Sequence, residues 1–346
     1  MKILVFGDVH WRFYSSIVRS RGQKFTKKLE NLIDSINWVQ QVSIDKNCDE
    51  IVCLGDFFDC PDLTAEEITA LNEIRWNHNV KQHFLLGNHE FNRIYTHFKS
   101  VDDLYTRTSL TVEDKPSKYV VGNTELYFIP YFIEDERKEL KEYLTDYDPN
   151  KKHIVFSHND IKGIQYGMFE SKEGFTISEI EESVDLYLNG HLHNGSFIGE
   201  KNKILNVGIL TGKDFGEDAY KYEHHIVILD TDTLEMEFIE NPYALNFYKL
   251  EIDKESDLSK LDTLKQNAVV SIKCAENYVD ILKEKLEAVP NIVESKTIIY
   301  RPETTHATAS SVELSHTDYK KQFSEVVIQK LGSSDVVKYE LAEVCK

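Results

Sequence analysis

The chain has 346 residues, 41% of them hydrophobic, and its 40 basic against 59 acidic side chains leave a formal net charge of −19. That length allows one large domain plus a smaller one, and that apolar share is enough to bury a core. The acidic balance excludes polyanion binding through bulk charge, while local basic faces and bound cations stay open.

A short apolar run over 3–6 ends in Gly7-Asp8 and predicts a buried strand. The next segment is locally basic, with Arg12, Arg19, Arg21, Lys24, Lys27 and Lys28. It reads either as a solvated loop and helix face or as a contact to a phosphate backbone, Arg12, Arg19 and Arg21 being the candidate DNA-binding residues. Phe25, Leu29, Leu32, Ile33, Ile36 and Val39 recur at helical spacing and predict an amphipathic helix over about 25–43. A second strand runs through Ile51 to Leu54 and delivers Gly55-Asp56. Thr64 with Glu67 makes a capping box for a helix through about Trp76. A third strand over 81–86 leads into Gly87-Asn88-His89-Glu90.

The middle of the chain repeats this grammar. Strands are expected over 125–129 and 153–157, with a charged helix at about 134–145 between them. Another strand, 184–188, is closed by Asn189-Gly190. Strands over 204–207, 225–229 and 235–239 follow, the last two joined by the turn Asp230-Thr231-Asp232. Strands alternating with helices and then following one another predict a layered α/β sandwich. Sites in such sheets lie at the carboxyl ends of strands, where each polar junction falls.

Asn241-Pro242 reads as a domain boundary. Beyond it, strand 247–252, helix 256–264, strand 268–272, helix 276–288 and strand 291–300 make a compact α+β unit. Residues 301–316 lack an apolar period and read as a linker. In 317–346, Phe323, Val326, Val327 and Leu331, then Val336, Val337, Leu341 and Val344, mark two short amphipathic helices around Gly332-Ser333-Ser334. They read as a docking element or as a hairpin packed on its own domain.

Cys48, Cys53, Cys60, Cys274 and Cys345 form no Cys-x-x-Cys pair and are odd in number, which suits a reducing compartment. The start lacks the length and cleavage site of a signal peptide, and no run approaches the ~20 apolar residues of a membrane span. The expectation is a soluble cytoplasmic protein with no membrane partner.

Three kinds of ligand stand at the strand ends: carboxylates (Asp8, Asp56), imidazoles (His10, His158, His191, His193) and an amide oxygen (Asn88). Mixed oxygen and imidazole donors suit Mn²⁺, Fe²⁺ or Zn²⁺, and the absence of thiolates argues against a structural zinc site. Seven donors are too many for one open ion but suit two ions sharing one carboxylate, with Asp56 the candidate bridge. In Asp8-x-His10 and His191-x-His193 the i, i+2 spacing turns both side chains one way from an extended backbone. Two such ions can hold an attacking hydroxide and stabilise a phosphoryl group. His89 is placed to protonate the departing oxygen and Asp59 to orient it. The remaining histidines (His78, His83, His97, His153, His224, His225, His306, His316) read as ordinary surface or packed residues.

Asp8-x-His10, Gly55-Asp56-x-x-Asp59, Gly87-Asn88-His89-Glu90, Ser157-His158 and Gly190-His191-x-His193 resemble the five blocks of the calcineurin-like metallophosphoesterases. The resemblance implies a four-layer α/β/β/α sandwich. It also implies one ion held by Asp8, His10, Asp56 and His193, a second held by Asp56, Asn88, His158 and His191, and His89 as the catalytic histidine. Gly55-Asp56-Phe57-Phe58-Asp59 is similar to the Gly-Asp-x-Phe-Asp form of the SbcD-like double-strand-break repair nucleases. The protein Ser/Thr phosphatases carry arginines where Cys60 and Leu86 stand here. The SbcD-like pattern implies a nuclease domain over 1–242, an α+β cap over 243–300, a linker over 301–316 and a partner-docking helical segment over 317–346. It further implies Mn²⁺, DNA as substrate, an SbcC-like coiled-coil ATPase as partner, a homodimer and, from its compact bacteriophage-like length, a bacterial or phage-infected cytoplasm. Glu90, where many relatives have Asp, and the acidic charge depart from that pattern. A cyclic-nucleotide phosphodiesterase and a non-catalytic scaffold are the rival readings.

Overall fold

A computed structural model of the chain describes residues 1–90, 110–166 and 169–301. The chain divides into two compact units, Met1–Arg301 and Pro302–Lys346. The second holds the expected docking helices and, beyond Arg301, the expected linker; it lies outside the described residues, as does His97.

Two six-stranded sheets make up the body. The first contains β1 (Lys2–Phe6), β2 (Glu50–Cys53), β3 (Lys81–Leu85) and β4 (Leu110–Glu113), all parallel. The second contains β5 (Ser117–Val121), β6 (Thr124–Ile129) and β7 (Lys152–Ser157). Two small ladders follow, from β8 (Ile161–Lys162), β9 (Gln165–Tyr166), β10 (Phe169–Glu170) and β11 (Phe175–Thr176). Then come β12 (Leu186–Asn189), β13 (Ser196–Ile198) and β14 (Ile204–Asn206) of the second sheet, and β15 (His225–Asp230) and β16 (Met236–Glu240) of the first. The strand orders are β16-β15-β1-β2-β3-β4 and β13-β14-β12-β7-β6-β5. The α-helices among the described residues are α1 (Lys27–Asp45), α2 (Ala65–Leu71), α3 (Leu140–Tyr143), α4 (Ile177–Ser183) and α5 (Val279–Ala288).

Period-two alternation builds the layers. Ile3, Val5, Val52 and Leu54 face Phe128, Ile154, Phe156 and Leu188 between the two sheets. Leu4, Phe6, Ile51 and Cys53 face the other way, against Leu29, Leu32, Ile36 and Val39 of α1. On the far side, Tyr127, Val155 and Tyr187 pack with Leu140 of α3 and Ile180 of α4. The body is therefore the expected four-layer α/β/β/α sandwich.

A third sheet of three parallel strands, β17 (Asn246–Ile252), β18 (Ala268–Ala275) and β19 (Ile292–Tyr300), has its own core with Leu258, Leu261 and Leu282. Phe247 and Val269 of this third sheet also pack on Val18, Ile17 and Phe215 of the body. Among the described residues, no helix is long and apolar enough to cross a membrane.

Several element boundaries differ from the expectation. The first helix starts at Lys27 because Thr26 caps it, its hydroxyl accepting from the Leu29 N–H. The Thr64/Glu67 capping box is present, yet α2 stops at Leu71. There the Asn37 side chain takes over the backbone, accepting from the Arg75 N–H at 2.7 Å and donating to the Glu73 carbonyl at 3.2 Å. The charged stretch at 134–145 keeps only the single turn of α3. The Lys138 N–H donates instead to the Tyr143 hydroxyl, and the Leu140 N–H to the Glu179 carboxylate. The expected helix at 256–264 is a 3₁₀ helix, Glu255–Thr263.

Candidate metal centre

The polar junctions after β1, β2, β3, β7 and β12 converge at the carboxyl ends of their strands. They bring Asp8, His10, Asp56, Asn88, His89, His158, His191 and His193 into one cluster. Three of these residues sit in the left-handed region without being glycine: His10 (φ 51°), Asp56 (φ 47°) and His191 (φ 73°). Such backbone costs on the order of 1–3 kcal/mol each and persists only where the surroundings impose it. Here the imposing bonds run between the loops. The Val9 and His10 N–H groups donate to the Asp56 carbonyl, the His191 N–H to Asp8 Oδ1, and the His89 N–H to Asp56 Oδ1. Gly87 is needed for room, because a Cβ there would lie 2.1 Å from Asp56 Oδ1.

The donors form two sets. In the first, Asp8 Oδ2 lies 3.8 Å from His10 Nε2 and 3.7 Å from His193 Nε2, and those two nitrogens are 3.0 Å apart. In the second, His158 Nε2 lies 3.3 Å from Asp56 Oδ2 and 3.2 Å from Asn88 Oδ1, which is 2.9 Å from His191 Nδ1. Asp56 Oδ2 is also 3.9 Å from His10 Nε2, so that oxygen stands between the sets.

The outward nitrogens of the rings are held, which aims the other nitrogen of each ring inward. His158 Nδ1 is 2.8 Å from the Leu54 carbonyl, His193 Nδ1 2.7 Å from Glu217 Oε1, His191 Nε2 3.2 Å from Asp160 Oδ1 and His10 Nδ1 3.0 Å from Asp59 Oδ1. Asp8 Oδ2 is buried without a hydrogen-bond partner. A buried, unpaired carboxylate oxygen facing two imidazole nitrogens fits a cation, and the oxygen and nitrogen donors with no thiolate fit a divalent one.

The electrostatics agree with that fit. Burial lowers His10 to a pKa of about 4, so its ring is a neutral ligand. Burial also works against protonation of His158, but the Asp56 carboxylate outweighs it and lifts His158 to about 9. Burial alone would raise Asp56, whereas the surrounding histidines, His158 first, hold it well below the ordinary carboxylate range. The cluster thus draws positive charge toward Asp56. Glu90, buried behind it, is pushed up to about 8 by burial and by the Asp56 charge. Its oxygens accept from the Phe58 and Gly87 N–H groups, which ties the second and third loops together.

His89 is partly exposed, its side chain 34% accessible. Its Nδ1 lies 3.0 Å from the Asp59 backbone carbonyl and 3.5 Å from the Asp59 carboxylate, and its Nε2 lies 3.9 Å from Asp56 Oδ2. The orienting hydrogen bond expected from the Asp59 side chain thus comes from its main chain. The carboxylate is committed to His10, Arg12 (3.1 Å) and Lys213 (2.8 Å). Of the three candidate DNA-binding arginines, Arg12 reaches the cluster through Asp59. Arg19 donates to the Ser16 carbonyl, and the exposed Arg21 pairs with Glu66. Lys28, grouped with them in sequence, is buried.

Glu217, Lys213 and Asp160 went unrecognised in the sequence. Glu217 and Lys213 lie in an irregular loop between β14 and β15, where no strand or helix period marks them. Asp160 stands two residues after His158, the same i, i+2 spacing that marks Asp8 and His10.

No curated relative matches the chain. It is similar to the solved structure of TT1561 of Thermus thermophilus, at 10% identity over 69% of this chain and 98% of that one, with a TM-score of 0.42. It is also similar to a dimetal phosphatase from Danio rerio, at 12% identity over 70% of this chain and 99% of that one, with a TM-score of 0.39. Residues 1–195, more than half of the chain, match the calcineurin-like phosphoesterase family. The chain therefore belongs to that family of metal-dependent phosphoester hydrolases, and the clustered carboxylates and imidazoles are where its metal chemistry is placed.

Proposed function

We propose that the protein is a Mn²⁺-dependent DNA phosphodiesterase, an SbcD-like nuclease subunit that works as a homodimer with an SbcC-like ATPase in recombination or double-strand-break repair. The observation that carries this reading is the cap sheet beside the site. The 212–219 loop, which holds Lys213 and Glu217, is bonded at both ends to the start of the third sheet: the Gly212 N–H donates to the carbonyl of Leu245, just before β17, and the Ala219 N–H to that of Phe247 within it. A second wall next to the cluster suits an extended substrate. The Gly-Asp-Phe-Phe-Asp block and the replacement of both phosphatase arginines by Cys60 and Leu86 support the same branch.

Two divalent cations supply charge that activates water and neutralises a phosphoryl group. Asp8, His10, Asp56 and His193 would hold one, and Asp56, Asn88, His158 and His191 the other. The chain's own work is to keep these donors aligned through Leu54, Glu217, Asp160 and Asp59. His89, anchored through Nδ1 on the Asp59 carbonyl and with Nε2 3.9 Å from Asp56 Oδ2, gives a proton to the departing oxygen. Residues 317–346 would dock on the ATPase.

Purified protein with Mn²⁺ should degrade DNA, and Asp56→Asn or His89→Ala should abolish this in a folded chain. A panel of DNA, a chromogenic phosphodiester and cyclic nucleotides decides the substrate; preference for cyclic nucleotides would replace the nuclease reading. Deleting residues 316–346 should spare hydrolysis and weaken binding to the ATPase, and undiminished co-purification would refute the docking role.

A further inference from the structure

A cavity of about 260 Å³ is lined by Arg12, Lys28 and Lys213. Its acidic lining is Asp59 and Asp214. Asp214 is engaged in its own turn, accepting from the Gly216 N–H at 2.6 Å. Asp59 is shared by His10, Arg12 and Lys213. In a chain of net charge −19, three cations gathered on one small cavity are a local reversal of sign.

Lys28 is the least explained of the three. It is 7% exposed and lies in the first turn of α1, where the helix dipole is unfavourable to a cation. Its Nζ makes one long hydrogen bond, 3.4 Å to the Tyr14 carbonyl, and among the described residues no carboxylate comes within ion-pair distance. A buried ammonium is costly without a close counter-charge: burial first, against the pull of the Asp59 charge and with the neighbouring Lys213 and Arg12 cations adding to it, lowers its pKa to about 8. Lys213 Nζ lies 3.2 Å from His10 Nδ1, so Lys213, a lining residue of the cavity, also touches the candidate metal centre.

We propose that this cavity is a subsite for a second phosphate of the substrate, the one adjacent along the strand to the phosphodiester under attack. The guanidinium offers a planar fork and the two ammonium groups offer point charges, the combination that holds a phosphate from several sides. The volume suits one phosphate better than a nucleoside, since pockets for drug-sized ligands run from about 300 to 1,000 Å³. The proposal deepens the nuclease reading and rests on it: a polynucleotide presents a neighbouring phosphate, whereas a cyclic mononucleotide does not.

Two probe pairs test it. One is thymidine 5′-(p-nitrophenyl phosphate) with and without a 3′-phosphate; the other is thymidine 3′-(p-nitrophenyl phosphate) with and without a 5′-phosphate. With Mn²⁺-loaded protein, the extra phosphate should lower KM about tenfold in one of the pairs, the scale of one charge-assisted contact. In Lys28→Met and Arg12→Gln that advantage should shrink to less than about threefold, while Lys28→Arg should keep most of it. Without turnover, metal-free protein should bind a fluorescein-labelled thymidine 3′,5′-bisphosphate more weakly in both neutralised variants, as read by anisotropy. Cooperative thermal unfolding checks that each variant is folded; if Lys28→Met does not fold, Arg12→Gln and the wild-type probe ratio decide. Wild-type protein that cleaves DNA yet treats both members of each pair alike overturns the subsite and leaves the nuclease reading standing. Wild-type protein that cleaves neither probes nor DNA overturns both.

Discussion

Glu217 joins His193 to the loop behind it: one carboxylate oxygen lies 2.7 Å from His193 Nδ1, and the other accepts the Lys213 N–H at 2.6 Å. Burial alone would lower His193, but Glu217 raises it, so the ring is rich in electron density and aimed by its partner. Outer-sphere partners of this kind are commonly worth about 10–100-fold in metal affinity. Glu217→Ala is therefore expected to weaken Mn²⁺ binding by about that factor, read by calorimetric titration. Hydrolysis should recover at saturating Mn²⁺, because the donors themselves remain. Wild-type affinity in the variant would remove Glu217 from the site.

Asp8 Oδ2 is buried with no partner. Leaving a polar atom in that state costs about 1–3 kcal/mol. In EDTA, Asp8→Asn should thus unfold at a temperature no lower than wild type. With Mn²⁺ the order should reverse, since ligand at a hundredfold over its dissociation constant stabilises by about 2.7 kcal/mol and the variant lacks a donor. Scanning calorimetry with and without Mn²⁺ reads both halves. A variant stabilised by Mn²⁺ as much as wild type would contradict the assignment.

His83 forms a second, separate charge cluster, 2.6 Å from Glu113 and 3.2 Å from Glu50. Burial lowers its pKa, but the two carboxylates outweigh burial and hold it above the ordinary 6.5. Burial likewise works against ionised Glu113, yet His83 and Ser117 hold it below the ordinary 4.5. The histidine's contribution is complete below about pH 6.5 and is lost as pH rises through its folded pKa; that of Glu113 is lost as pH falls below about 4.5. The pair is therefore strongest between about pH 4.5 and 6.5. His83→Gln should cost about 3–5 kcal/mol at pH 6 in urea unfolding, and distinctly less at pH 9. An equal cost at both values would mean that His83 is neutral in the fold.

Gly87→Ala would place a methyl group 2.1 Å from Asp56 Oδ1, a contact that cannot be accommodated without moving the carboxylate or the loop. The sheets do not depend on that loop. The variant is thus expected to fold with a Tm within a few degrees of wild type, as judged by circular dichroism, and to lose at least about 100-fold in hydrolysis. Full activity would mean that Asp56 needs no fixed position.

The layered fold was legible because the central strands of the body run apolar up to a polar junction, as in Ile51 to Gly55-Asp56 and Ile154 to Ser157-His158. Short edge strands such as Ser117–Val121 and Ser196–Ile198 were not legible, since their exposed, mixed residues carry no period. α4 was missed although Thr176 and Glu179 form the same capping box as Thr64 and Glu67. Helix ends depended on distant side chains, Asn37 for α2 and Glu179 for α3, which no local pattern can reveal. Asp59 has the same cause: its spacing from Asp56 suggested a partner for His89, but only the folded chain brings Lys213 and Arg12 to claim its carboxylate.

The bonds at both ends of the 212–219 loop have a mechanical meaning. A rigid tie makes a lever: any tilt of the small sheet pulls on Glu217 and Lys213 together, and through them on the aim of His193 and the placement of Asp59.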